Sequence, residues 1–228
     1  MYYFDWTYLL VLAGLILGML AEGNVKSTFA KYKKQSTRNG IPAEQIAQSI
    51  LQDNGNQAVQ VMHVHGSLTD SYNPATETLS LSDDVYGSSS VAAIGVAAHE
   101  AGHAMQKMEG YAPLRLRTVS VPVVNIGSRA AIPVFFMGMI FSLPFLETAG
   151  IVLFSLSVLF SLITLPVEFN ASSRGLAMLR NGGWLTEEEL SGAEKVLRAA
   201  ALTYVASFAA NVLNLLRLIM LSNSRRRR

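Results

Sequence analysis

Hydrophobic and polar positions alternate in two different rhythms along this chain. From residue 6 to 21 no charge interrupts the run TYLLVLAGLILGML, which has the length, glycine content and aromatic flank of a membrane helix. Asp5 precedes it and Glu22 follows, whereas a cleaved leader asks for basic residues before the run and small ones after, so the segment is expected to stay as an anchor. Beyond it the pattern becomes that of a water-soluble module. Residues 41–54 place Ile46, Ile50 and Leu51 at helical spacing, and residues 59–65 alternate as a strand with Val61, His63 and His65 on one face. Asn73-Pro74 marks a turn, and residues 78–82 alternate again, predicting a short edge strand that Asp83-Asp84 ends. Ser88, Ser89 and Ser90 offer caps for a helix from residue 91 to about 109, closed by Gly110 and Pro113.

The apolar rhythm then returns. Residues 130–146 and 148–167 are uncharged stretches separated by Glu147 and preceded at the break by Pro144, predicting a helical hairpin whose tight turn holds Glu147. Residues 170–198 are polar, with Gly182-Gly183 as a break, and residues 199–216 are uncharged again. Asn211, Asn214 and Arg217 recur there at helical spacing and give one polar face. If the segment spans, Arg225 to Arg228 lie outside, against the positive-inside expectation; if it packs back or lies in the interface, they stay inside. A membrane-associated helix that does not cross simply is therefore the reading favoured. The expected organisation is therefore an N-terminal transmembrane helix at 1–22, a cytoplasmic module at 23–129, a transmembrane hairpin at 130–167, a further helix at 168–198, and a C-terminal membrane-associated helix with a basic tail at 199–228.

Composition supports lipid as a partner. Half of the 228 residues are hydrophobic, only 15% are charged, and mean hydropathy is +0.31. A net charge of +2 gives no reason to expect a nucleic-acid partner. The basic residues read instead as topology signals: Lys26, Lys31, Lys33, Lys34 and Arg38 follow the first apolar run, which puts that end in the cytoplasm. The hairpin turn carries no Lys or Arg and is expected outside, returning residue 168 to the cytoplasmic face. Cysteine is absent, so a strong metal site must be built from histidine and carboxylate.

Such a site is written at residues 99–103. His99-Glu100-Ala101-Gly102-His103 is the H-E-x-x-H pattern, which on a helix sets two imidazoles one turn apart on one face, close enough to share a zinc ion. Glu100, one position round, is placed to take a proton from a zinc-activated water and hand it to a leaving amine. A catalytic zinc needs a third protein ligand, and two carboxylates compete for the place. Glu109 lies where a metzincin-like sequence puts its third ligand, but Gln106 replaces the glycine that lets such a chain turn back. Glu168 is better placed, directly after the apolar hairpin, where an unaccompanied carboxylate at a membrane boundary would be costly. The fold class expected is a mainly α integral membrane protein with a zincin-like metalloprotease module and a short β element.

Other residues are candidates for supporting roles. Thr78, Leu79, Ser80, Leu81 and Ser82 would form the edge on which an extended peptide adds as a further strand. His63 and His65 are candidates to stabilise an oxyanion or to bind a second metal, and Arg174 and Tyr204 to stabilise the transition state. Two other classes of protein stand beside the hydrolase: a non-catalytic metal-binding scaffold, which would not depend on Glu100, and a transporter using Asn125, Asn211 and Asn214.

The order of LSLSDDVY, AAHEAGHAMQ, LPVEFNASSRGLAML and EKVLRAAALTYVA resembles the YugP-type membrane zinc metallopeptidases over most of the chain. The layout is also similar to that of the HtpX-type peptidases and CAAX prenyl proteases, where a membrane hairpin separates the zinc-binding helix from the helix bearing a Glu ligand. The resemblance implies a gluzincin-like endopeptidase with one catalytic Zn2+ held by His99, His103 and Glu168, Glu100 as base, and a protein or peptide substrate. Those relatives carry E-x-x-A-D at the second helix, whereas this chain has Glu168-Phe169-Asn170-Ala171-Ser172, with Ser172 where an aspartate would orient a histidine.

Overall fold

The computed structural model describes residues 5–226, the last two without their side chains, so the basic tail at 225–228 lies outside the described side chains. In chain order the elements are α1 (Tyr8–Lys33), α2 (Ala43–Asp53), β1 (Gln60–His63), β2 (Ser71–Asn73), β3 (Thr78–Leu81), α3 (Val91–Met108), α4 (Ala112–Phe141), α5 (Pro144–Asn181) and α6 (Glu187–Arg226). The protein is mainly α-helical. Among the described residues four helices, α1, α4, α5 and α6, are long and apolar enough to cross a membrane. The chain divides into two compact units: one formed by the segments up to Glu22, Leu116–Leu165 and from Thr203 on, the other by Gly23–Arg115 and Pro166–Leu202.

The second of these is built on burial from water. α2 presents Ala43, Ile46, Ala47, Ile50 and Leu51 at i, i+3 and i+4 spacing, and all five are buried. They join Leu79 and Leu81 of β3, Val85, and the inner face of α3 in one core. α3 is alanine-rich (Ala92, Ala93, Ala97, Ala98, Ala101 and Ala104 are all buried), so neighbouring backbones can approach it closely. The sheet has the order β1-β3-β2, with β1 parallel and β2 antiparallel to β3. β3 is thus the central strand, not the edge that its short alternating sequence predicts. Its partner β2 is missed by periodicity because only Tyr72 of its three residues is partly buried. The parallel pairing to β1 joins residues about 18 apart, Gln60 opposite Thr78, which no local pattern announces.

The other unit follows the logic of a lipid solvent. Gly150 lets Phe135 approach so closely that an added Cβ would lie 2.7 Å from the Phe135 backbone nitrogen, and a Cβ at Gly138 would lie 2.5 Å from that of Glu147. The α4–α5 connection is at Ser142 and Leu143. Ser142 adopts a left-handed φ of 57°, and the Leu143 N–H returns to the Gly138 carbonyl at 2.9 Å. The predicted turn at Glu147 is therefore displaced: Glu147 sits in the first turn of α5, is only 2% exposed, and accepts a hydrogen bond from the Ser222 hydroxyl at 2.8 Å. A carboxylate is stabilised near a helix N-terminus and, once buried, must find donors, which draws it inward. Two residues of the polar stripe of α6 find partners inside the unit, Asn211 donating to Ser161 and Arg217 pairing with Asp5 at 3.6 Å. α6 runs as one helix through the region expected to lie against the membrane without simply crossing it.

Candidate metal centre

Helix α3 begins as the serines predict: Ser90 caps it by accepting a hydrogen bond from the Ala93 N–H at 3.2 Å. It ends at Glu109 as C-cap, followed by Gly110 in a left-handed conformation (φ 66°). Within it His99 and His103 stand one turn apart, their rings 4.7 Å between centroids and nearly perpendicular. The partner is the continuous helix α5, in which Glu168 lies well inside rather than at the start of a new helix.

Two glycines set how closely α3 and α5 meet. A Cβ on Gly102 would fall 2.3 Å from the Ala171 carbonyl oxygen, and one on Gly175 would fall 2.6 Å from that of Ala98. Gly102 of the H-E-x-x-H turn is therefore a contact point between backbones. This approach brings Glu168 Oε2 to 3.3 Å from His99 Nε2 and 3.5 Å from His103 Nε2. The ligating atoms of the three residues all lie within 4.8 Å of one another. Glu168, His103 and the neighbouring Glu100 are buried.

The opposite ring nitrogens are held too. His99 Nδ1 is 3.0 Å from the Ser172 hydroxyl, and His103 Nδ1 is 3.0 Å from Gln106 Oε1. Gln106 is fully buried, and its amide nitrogen donates to the Val167 carbonyl at 2.8 Å and to Asn170 Oδ1 at 2.9 Å. With both donors committed, its oxygen must face His103 and accept from Nδ1–H. When neutral, the ring presents a lone pair at Nε2 towards the Glu168 carboxylate, and the place between them suits a cation, whether a proton or a metal ion. Burial disfavours the charged form of His103, yet its hydrogen bond to Glu168 and the carboxylates of Glu100 and Glu168 outweigh this and move its pKa upward. Four donors around a tetrahedral zinc at 2.0–2.1 Å are about 3.3 Å apart. The observed 3.3 and 3.5 Å separations fit that ion, as does the two-imidazole, one-carboxylate donor set.

Asn170 carries the network outward. Its Oδ1 also accepts from Arg174 Nε at 2.7 Å, and Arg174 Nη1 donates to Glu109 at 2.6 Å. Glu109, the competing third ligand, is thus engaged by Arg174, which lowers its pKa, and the structure does not gather it with the histidines. Arg174, expected near the transition state, has its guanidinium committed to Asn170 and Glu109. Tyr204 belongs to the other compact unit. Thr78, Leu79 and Ser80 are paired on both sides, Leu81 is paired with β1, and Ser82 is engaged through its N–H and hydroxyl by Asp70, so β3 is not the open edge expected for a peptide. His63 and His65 form a separate exposed cluster with Asp83. Periodicity did not single out Gln106 or Asn170. The available signal is spacing, since Gln106 is one turn beyond His103 on α3 and Asn170 is one turn before Arg174 on α5.

Comparison with known proteins agrees with this geometry. A family model described as "Putative neutral zinc metallopeptidase" matches residues 7–223. The "Putative membrane protease YugP" of Bacillus subtilis (strain 168) is 45% identical over 212 residues, covering 93% of this chain and 94% of that protein. No solved structure matches the chain. The chain accordingly belongs to the neutral zinc metallopeptidase family, as a mainly α-helical membrane protein of that group.

Proposed function

We propose that this protein is a membrane-embedded zinc endopeptidase of the gluzincin type, with one catalytic ion held by His99, His103 and Glu168. The observation that carries the reading is the convergence of two imidazoles on one buried carboxylate oxygen, 3.3 and 3.5 Å from their Nε2 atoms, with Glu100 beside them on α3. Zinc bound there supplies Lewis acidity, acidifying a water and polarising the scissile carbonyl. Glu100 acts as general base, receiving the proton of the attacking water on its carboxylate and delivering it to the departing amine. Gln106 and Ser172 keep the imidazoles turned, and Asn170, anchored by Arg174, keeps Gln106 turned.

The site is assigned to the cytoplasmic face of a multi-pass protein in the cell membrane. Support comes from Lys26, Lys31, Lys33, Lys34 and Arg38 after the first apolar run and from Arg115 and Arg117 before the second. Cysteine labelling in this Cys-free chain tests the orientation. Phe145→Cys, at an exposed position near the α4–α5 connection, is expected to react from outside, and Asp53→Cys only after permeabilisation.

Glu100→Gln tests the enzyme assignment directly. Cleavage of a model unfolded substrate is expected to fall by about 10²–10⁴-fold while bound zinc is retained. Undiminished cleavage by that variant would overturn the mechanism. A wild-type chain that binds zinc but cleaves nothing would instead identify a metal-binding scaffold.

A further inference from the structure

The geometry points to a second divalent-cation site, made by His63, His65 and Asp83 at the open end of the sheet. It is separate from the catalytic residues and stands independently of the proposed peptidase activity. His63 ends β1 and His65 lies two residues on; the ladder continues past His63 through the Val64 N–H to the Leu81 carbonyl at 2.8 Å, which keeps the alternation and puts both imidazoles on one face. Asp83 arrives from the exit of β3. One carboxylate oxygen, Oδ1, is hydrogen-bonded to His63 Nε2 at 2.7 Å and lies 3.5 Å from His65 Nδ1, so an ion entering there replaces that hydrogen bond and spreads the pair by about 0.6 Å.

The arrangement is held from several sides. Asp83 Oδ2 accepts the Gly66 N–H at 2.9 Å, and the Asp83 N–H returns to the Gly66 carbonyl at 3.1 Å. Oδ1 is thereby aimed at the two rings. His63 is further packed against Tyr86, 5.1 Å between centroids, and stands edge-on to His65 at 5.2 Å. Neighbouring Asp84 is engaged by Lys33 and Ser67. The ligating atoms of the three residues lie within 4.8 Å of one another, the same bound met by His99, His103 and Glu168.

Two imidazoles and one carboxylate select a first-row transition ion of the zinc class rather than calcium or magnesium, which prefer all-oxygen shells. All three residues are exposed, so water completes the coordination. An ion held there fastens the exit of β1 to the exit of β3 and acts on the sheet rather than on a reacting peptide.

The test is zinc titration of the metal-stripped, full-length protein in detergent, followed by calorimetry and by metal analysis after gel filtration. Wild type is expected to take up two equivalents. His65→Ala removes a side chain that is 94% exposed, so the fold should tolerate it, and this variant should take up one. Asp83→Asn should weaken the second equivalent by at least about tenfold. His99→Ala should lose the other equivalent and keep the one at His65, so this inference and the peptidase reading fail separately. Equal zinc uptake by wild type and His65→Ala overturns the second site.

Discussion

Glu147 and Glu168 lie on the same helix, α5, and are equally buried at 2% exposure, yet they serve two regions built on opposite rules. Around Glu147 the unit turns Val119, Ile126 and Ile140 outward and keeps carboxylate and hydroxyl inside. Around Glu168 the unit turns Ile46, Leu79 and Ile94 inward and gathers buried Glu100, His103, Gln106 and Glu168 at one place. Glu147 is accommodated: the Ser222 hydroxyl answers one of its oxygens. Glu168 is positioned: two glycines fix the distance between helices, and two imidazoles, each held from behind, face its oxygen. Burial alone therefore does not mark a reactive carboxylate in a membrane protein; the arrangement of the groups opposite it does.

The strongest way to break the comparison is to remove each carboxylate in turn. Glu168→Ala is expected to abolish stable zinc retention at the catalytic centre, a loss exceeding the roughly 10–100-fold that an indirect partner commands. Dialysed protein assayed for metal would show it, and full retention there would dismantle the centre as described. Next in size is Gly102→Ala, whose Cβ would meet the Ala171 carbonyl. The cost should reach about 1–3 kcal/mol, read from unfolding in detergent, and zinc should be lost with it. Asn170→Ala should leave the fold intact but weaken zinc by about 10–100-fold through Gln106, and an unchanged affinity would sever the proposed link. Ser172→Ala should cost no more than about tenfold in zinc affinity, with Ser172→Asp restoring it by supplying a carboxylate to His99. Smallest of all, Glu147→Gln keeps an acceptor for Ser222 and should shift stability by no more than about 1 kcal/mol. Any tenfold change in zinc affinity from that variant would show that the two carboxylates are not separable in role.

What could be read from the sequence was whatever nearby residues determine. The α3 helix announces itself through Ser90, the spacing of His99 and His103, and Gly110, because capping and one-turn spacing are local. Glu168 was legible for a different reason: a carboxylate right after an apolar run needs an explanation. The features that escaped are those settled by distant partners. The central place of β3 depends on pairing with β1, and the position of Glu147 depends on Ser222, 75 residues away. The continuity of α5 was hidden because its composition changes at Glu168 from lipid-facing to site-facing while its backbone does not. In the sequence Gln106 stands out only as the replacement of a glycine, although it is the residue that sets the tautomer of His103.

That Glu168 sits on α5, and not near the H-E-x-x-H turn, also orders events during synthesis. The ribosome delivers both histidines first and the carboxylate 65 residues after His103, once α4 and most of the apolar part of α5 have been made. On the proposed reading, a nascent chain therefore owns only two of the three groups that would hold the ion until its central hairpin has been translated, so the centre would be completed late in biogenesis.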